Sequence, residues 1–479
     1  MKTLKILILM VVMVSCKTAT DPLPDRYTLQ AFAEPQEGGA ISPQAGEFNL
    51  GDLATLVATP APNWYFSGWS GDVSGSVNPE KLVFNGHKQV TALFERMETS
   101  VWAMGYNHNG QLGNGQQEGS DRPLQSLNQA SFVTAGSWHS YFIRPDRSLW
   151  GMGYNLHGQL GDGTTTDRHL PVKIRDEVLV AAAGEHHSLF VTTSGELFAT
   201  GENIEGQLGA GDRMQQTVPV WVDSDVRTVT AGDWHSLYIK NDGRLWGMGK
   251  NLDGQLVPET INRIETPVQI AEGVLQAVAG HRHTLYLTED GILWGKGGNA
   301  SGQLGDGTFV DRRDAVQMAS HVQFVSAGRD HTLFITNDGV LWGVGNNTHG
   351  QLGDGSLTDR NRPVQIDRDV VFATAGIRHT LYIKSDGTFW ATGKNGDGQL
   401  GDGTRVERTH PVRIDERVLH AAAGVHHSLY VRSIVHEAPD PAEPVLPPCL
   451  GDPLDQWQDK GGTPRRWPSC SEPAELGIE

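Results

Sequence analysis

The chain has 479 residues, enough for more than one domain, and its 58 glycines and 24 prolines make it rich in turns. Its formal net charge of −18 argues against nucleic acid as a partner, because phosphates are repelled and no basic stripe interrupts the acidic composition.

The N-terminus carries Lys2 and Lys5, an apolar stretch from Ile6 to Val14, and then Ser15-Cys16. This is a short export signal, too short to span a membrane permanently. A small residue before a lone cysteine resembles a bacterial lipoprotein signal, which implies that Cys16 is lipidated and becomes the new N-terminus. The alternative is an ordinary signal peptide in which Cys16 is incidental. Residues 17–26 read as a tether.

Residues 27–96 form a separate module with alternating strands at Tyr27–Ala33, Leu53–Thr59 and Gln89–Phe94, broken by Pro and Gly turns. The string Ala58-Thr-Pro-Ala-Pro-Asn-Trp-Tyr-Phe, followed by Gly68-Trp-Ser-Gly-Asp72, resembles the divergent internalin-type B-repeat of bacterial surface proteins. The module is read as a small β spacer.

Beyond it the chain repeats. Gly-Gln-Leu recurs at Gly110, Gly158, Gly206, Gly254, Gly302, Gly350 and Gly398, each 48 residues after the last. Ala-Gly-x-x-His keeps the same spacing and ends on His139, His187, His235, His283, His331, His379 and His427. A third beat is Trp102, Trp150, Phe198, Trp246, Trp294, Trp342 and Trp390. A period near 50 points to propeller blades. In one unit, Arg244–Lys250, Pro267–Ile270, Val274–Val278 and His283–Leu287 read as four short strands, and the unit is taken as one antiparallel blade. Asp242-Gly243, Asp290-Gly291, Asp338-Gly339 and Asp386-Gly387 suit two-residue hairpins that set each His strand beside the next Trp strand. The first Trp strand, Val101–Tyr106, and the last His strand, His427–Val431, are therefore expected to pair and close the ring.

The Trp-Gly-x-Gly-x-Asn, Gly-Gln-Leu-Gly-Asp-Gly and Ala-Gly-x-x-His-Ser/Thr-Leu strings resemble the repeats of the regulator of chromosome condensation family, over residues 100–435. The resemblance implies an all-β, seven-bladed β-propeller. The fourth unit departs, with Val257-Pro-Glu after Gln255-Leu256, and the third has Gly-Ala-Gly211. Because the spacing survives, a changed loop is expected and not a lost blade. The family's founding activity is nucleotide exchange on the nuclear GTPase Ran, with chromatin binding. It is not carried over: an exported chain does not meet Ran, and the invariant spacing leaves no room for the wedge that the exchange factor inserts into one blade. A secreted relative that inhibits β-lactamases through one propeller face implies a precedent for protein binding.

Each framework histidine precedes Ser or Thr, as in His139-Ser140. Neighbours in a strand point to opposite faces, so these are not nucleophile–base pairs. The seven histidines are assigned a structural role, hydrogen bonding within each blade. They do not converge as metal ligands. Asp162, Asp306, Asp354 and Asp402 supply one carboxylate per loop, which is turn chemistry and too few ligands for calcium. The informative positions are those that vary inside the constant frame. Directly before the framework histidines stand Trp138, His186, Trp234, Arg282, Asp330, Arg378 and His426. They are expected on one face around the ring mouth, and Trp and Arg are favoured at interface hot spots. In the competing reading Trp138 and Trp234 plug the channel.

After the propeller come a Pro-rich linker, residues 436–448, and a tail, residues 449–479. Cys449 and Cys470 fit a disulfide staple in an oxidising compartment, or two free exposed thiols. The chain as a whole reads as a monomeric, lipid-anchored cell-envelope protein that binds an unknown protein partner, without cofactor or metal. A carbohydrate-active or lyase-type propeller enzyme and a purely structural surface protein are the alternatives.

Overall fold

The computed structural model describes residues 26–434, except 62, 63 and 97. Cys16, Cys449 and Cys470, the linker and the tail lie outside the described residues.

The N-terminal module is two small sheets. One runs in the order Ala45–Phe48, Tyr27–Glu34, Lys88–Arg96, Trp64–Gly71; the other in the order Gly39–Ser42, Leu53–Pro60, Glu80–Val83. Their apolar faces enclose Leu29, Leu56, Phe84, Val90 and Phe94. The Gly-Trp-Ser-Gly-Asp string is explained here. Trp69 is buried and donates its indole N–H to the Val77 carbonyl at 2.8 Å. Gly71 has φ of 95°, and a Cβ there would lie 2.4 Å from the Gln89 carbonyl oxygen. Asp72 accepts the Gln89 N–H at 2.7 Å.

The repeats form seven four-stranded antiparallel sheets. In each, an inner strand lies beside a His strand, then a Trp strand, then an outer strand; Val178–Ala183, His187–Thr192, Leu197–Gly201 and Gln216–Asp223 are one example. This corrects the equation of one repeat with one blade. The inner and His strands of a sheet come from one 48-residue unit, and its Trp and outer strands come from the next. The cut between sheets falls in the two-residue link from outer to inner strand, where Glu177, Asp225, His321, Asp369 and Arg417 hold positive φ. The Asp-Gly hairpins lie inside the sheets, with φ of 80° at Gly243 and 78° at Gly387.

Ring closure is as expected and longer. His427–Ile434 pairs antiparallel with Glu98–Gly105, from His427 opposite Gly105 to Ile434 opposite Glu98. The His-strand starts define an upper face. The chain enters the propeller at Glu98 and reaches Ile434 at the opposite, lower end of the same sheet.

Two devices hold the sheets together. The Leu of each Gly-Gln-Leu, from Leu112 to Leu400, is fully buried, and a fully buried Leu contributes about 1.5–3 kcal/mol. Around the channel, the glycines of the Ala-Gly strings touch in a closed ring. A Cβ on Gly136 would lie 2.4 Å from the Gly184 carbonyl oxygen, and one on Gly424 would lie 2.6 Å from that of Gly136. Only glycine allows the inner strands to approach this closely.

The altered loops keep their blades. Asn155 serves a standard loop: its Nδ2 donates to Asp162 and to the Thr164 and Thr166 carbonyls, and its Oδ1 accepts the Leu160 N–H. In the fourth unit Asn251 does the same work on the Val257 and Ile261 carbonyls and the Leu256 N–H. Leu245–Lys250 still pairs with Arg263–Ala271.

Candidate binding face

The framework histidines are fully buried, and they bridge blades. His139 Nε2 lies 2.8 Å from Ser188 Oγ, His187 Nε2 is 2.8 Å from Ser236 Oγ, and His379 Nε2 is 2.9 Å from Ser428 Oγ. The expected hydrogen bonding within each blade is corrected: the partner is the Ser or Thr of the next sheet, 49 residues on. The tautomer follows. Ser236, Thr332, Thr380 and Ser428 donate their hydroxyls to the carbonyls of Gln207, Gln303, Gln351 and Gln399. Each hydroxyl oxygen is left to accept, so the histidine Nε2 carries the proton. Nδ1 has no partner and packs toward the Ala-Gly glycine. Burial pushes His187, His235, His283, His379 and His427 down to about 3 and His331 to about 4, and His139 also lies well below its ordinary value.

The residues directly before these histidines lie at the upper rim, each at the tip of the turn between inner and His strands. Trp138, His186, Trp234, Arg282, Asp330 and His426 are half-buried, and Arg378 is exposed. Trp138 stacks on His426 at 4.8 Å between ring centroids and meets Tyr106 edge-on at 5.5 Å. His186 lies 4.8 Å from His157 and 6.4 Å from Trp234, and the Lys250 ammonium sits 5.6 Å from the Trp234 ring centroid. Arg282 grips Asp253 with two N–H groups, Nε at 2.7 Å from Oδ2 and Nη2 on Oδ1. His426 Nδ1 is 2.6 Å from Asp397.

The channel, a cavity of about 200 Å³, is lined one residue further in, by Ser137, Asp233, Arg329, Ile377 and Val425 above the Ala-Gly ring. Trp138 and Trp234 are not among its lining residues, so the reading in which they plug it does not match the geometry. Its lower end is lined by Phe132, Phe324, Phe372 and His420, whose rings touch at 4.7–5.2 Å.

Part of the upper face is aromatic and aliphatic, with Tyr106, Trp138, Tyr154, Trp234 and the exposed side chains of Leu156, Ile204 and Leu252. Charged groups share the face, Asp233 directly before Trp234 and Glu185 directly before His186. Asp233 is pushed up to about 7, mainly by burial and then by Glu185, with Arg329 opposing. Burial also raises Glu185 and Asp330, and lowers His186 and His281 to about 4. His281 Nε2 is 3.9 Å from Asp233 Oδ2, and Arg329 is 3.6 Å from Asp330.

Sequence reasoning missed the second tier of this face: Tyr106, Tyr154, Glu202, Lys250 and Lys394. These follow the Trp-strand glycine and donate their backbone N–H to the carbonyls of His426, Trp138, His186, Trp234 and Arg378. The signal was present, because they too vary on the 48-residue beat. In the Gly-Asp-Gly loops, Asp162, Asp306, Asp354 and Asp402 pair with Arg168, Arg312, Arg360 and Arg408 at 2.6–2.8 Å through Nε. Among the described residues no group of three His, Cys, Asp or Glu is placed to hold a metal ion.

Residues 27–98 match the divergent InlB B-repeat domain. The regulator of chromosome condensation (RCC1) repeat matches at 99–143, 146–191, 194–239, 338–383 and 386–431, and a second form of that repeat at 180–207, 226–255, 274–303, 322–351 and 370–399. The chain matches no curated protein sequence. Human WBSCR16 superimposes with a TM-score of 0.64 at 22% identity, over 71% of this chain and 100% of that one. Prp20p from Saccharomyces cerevisiae does so with 0.63 at 20% identity, over 71% and 92%. Yeast RCC1 (Prp20) in its structure with Kap60 gives 0.63 at 18% identity, over 71% and 90%. At these identities the likeness shows the fold. Together the two repeat forms cover more than half of the chain, which belongs to the regulator of chromosome condensation (RCC1) repeat family.

Proposed function

We propose that this chain is a non-enzymatic, lipid-anchored binding protein of the bacterial cell envelope that presents the upper propeller face to a protein partner. The observation that carries this is the half-buried aromatic arc of Tyr106, Trp138, His426 and Trp234, on the face opposite the end where the chain enters at Glu98 and reaches Ile434. Aromatic side chains with a polar surround are the residue set that dominates protein interfaces. The yeast relatives support the partner class: Prp20p is described with binding properties to Gsp1p and histones, and yeast RCC1 with Kap60 bound. None of those partners is transferred here. Lipidation of Cys16 and export stand as part of the proposal, on the resemblance of Met1–Cys16 to a lipoprotein signal.

The test is the double change Trp138→Ala and Trp234→Ala in the soluble chain, with melting and partner capture from envelope extract measured on the same preparation. The expected result is lost capture with a melting temperature close to the parent. A destabilised variant that still captures the partner at full affinity removes both residues from the site.

One observation favours the enzyme reading: Asp233, with a carboxyl near neutrality, lines the channel mouth beside Arg329. A hydrolase or lyase activity abolished by Asp233→Asn, with binding intact, would establish it.

A further inference from the structure

The ring of near-identical blades is its own set of controls, because a slot that is filled in most blades shows what an unfilled one is shaped to hold. On five of the seven framework aromatics a cation of the chain covers the ring. Arg144 lies 4.4 Å from the Trp150 centroid, Arg175 4.1 Å from Phe198, Lys240 5.5 Å from Trp246, Lys384 5.8 Å from Trp390 and Arg432 5.9 Å from Trp102. In three of these blades an aspartate and a tyrosine complete the slot. Lys240 bonds Asp223 at 2.9 Å, and Tyr238 bonds the same carboxylate at 2.6 Å. Lys384 with Tyr382 on Asp367, and Arg432 with Tyr430 on Asp415, repeat the arrangement.

Among the described residues no cation covers Trp294 or Trp342; Trp294 keeps Tyr286 beside Ala271 and Thr288, whereas at Trp342 all three positions have changed. Ala319, Phe334 and Thr336 stand 48 residues before Asp367, Tyr382 and Lys384. Beside Trp342 lies an open surface cavity of about 590 Å³, lined among others by Phe334, Trp342, Pro363, His321, Thr336 and Asp338. Phe334 still stacks on Trp342 at 6.4 Å, so the aromatic platform is intact. The indole N–H groups of Trp342 and Trp246 are buried without a partner, whereas Trp102, Trp150 and Trp390 donate theirs to Ser100, Ser148 and Thr388. Asp338 brings a carboxylate to the cavity, with Oδ1 accepting the Thr336 hydroxyl at 2.6 Å. Arg368 acts on that carboxylate but makes no cation–π contact with Trp342.

We propose that the Trp342 cavity receives a lysine or arginine side chain of a partner protein, stacked on the indole where the other blades stack their own. A cation over an indole face is attracted by the ring quadrupole, and the Asp338 carboxylate adds a counter-charge. The cavity is at the Asp-Gly end of its blade, away from the upper face, so the inference is independent of the function proposed above.

The test uses the full chain labelled with 5-fluorotryptophan, with the Trp342 signal assigned by Trp342→Phe. Butylammonium, butylguanidinium and neutral butanol are titrated at matched ionic strength. The Trp342 signal should shift saturably with both cations, which should bind about tenfold more tightly than butanol. Ala319→Asp with Thr336→Lys rebuilds the slot from within and should abolish the shift; Thr336→Lys alone serves if the double variant does not fold. No cation-dependent shift, an equal response to butanol, or an undiminished shift in the filled variant would each overturn the proposal.

Discussion

His427 Nε2 lies 2.8 Å from Ser140 Oγ, across the seam where the last repeat meets the first, 287 residues apart in the chain. This contact completes a belt in which every blade is bonded to the next through one buried imidazole. Ser140 also donates to the Gln111 carbonyl at 3.0 Å, so its oxygen accepts from His427.

Ser140→Ala should therefore leave the buried His427 N–H without an acceptor. The expected cost is about 1–3 kcal/mol, the range for a buried polar group that loses its partner. Ser433→Ala, at an exposed hydroxyl, should cost almost nothing. Thermal melting of the two variants checks this, and equal melting temperatures would sink the belt as a source of stability.

The belt also sets a pH dependence. The histidines are neutral in the fold, with values near 3 to 4, and titrate near 6.5 when unfolded. Below about pH 6.5 the unfolded chain binds more protons, so stability is lost as pH falls from there toward the folded values. Each histidine adds a slope of up to about 1.4 kcal/mol per pH unit. Asp233, raised to about 7, works in the opposite direction between its unfolded value and neutrality. Glu185 and Asp330, also raised by burial, act in the same sense as Asp233, but these three carboxyls do not offset a belt of seven histidines, so the melting temperature should fall from pH 7 to pH 5. Calorimetry across that range is the measurement, and a flat profile would contradict neutral buried imidazoles.

Closure predicts the effect of a truncation. Removing residues 98–105 deletes the partner of His427–Ile434 along its whole length and leaves an open sheet edge. The shortened chain should aggregate or fail to fold, read by size-exclusion chromatography and circular dichroism. A monodisperse monomer with parental melting would mean that the seam pairing is dispensable.

Anchoring is tested at Cys16. Each acyl CH₂ contributes about 0.8 kcal/mol of membrane affinity, so several chains on one cysteine hold firmly. Cys16→Ser should move the protein from the membrane fraction to the soluble fraction; unchanged fractionation would remove the lipid anchor from the proposal.

By itself the sequence determined the number of blades, the strands and the seam. Alternation, two-residue Asp-Gly turns and an invariant 48-residue beat are local signals, and ring closure follows from a first Trp strand and a last His strand each lacking a neighbour. It singled out Trp138, Trp234 and their equivalents and expected them on one face around the ring mouth, because variable residues inside a constant frame are free of the packing that constrains the frame. What it did not determine is where the period is cut into sheets. A repeat has no marked beginning, and the boundary is decided by the left-handed residues in the links at Glu177 and Asp225. The histidine partners were hidden for the same reason: His139 and Ser188 become neighbours only when two sheets pack, at the close approach that Gly136 allows. The missing cation at Trp342 was written in the chain as Thr336 in place of Lys, but only the packed blade shows that this residue covers an indole.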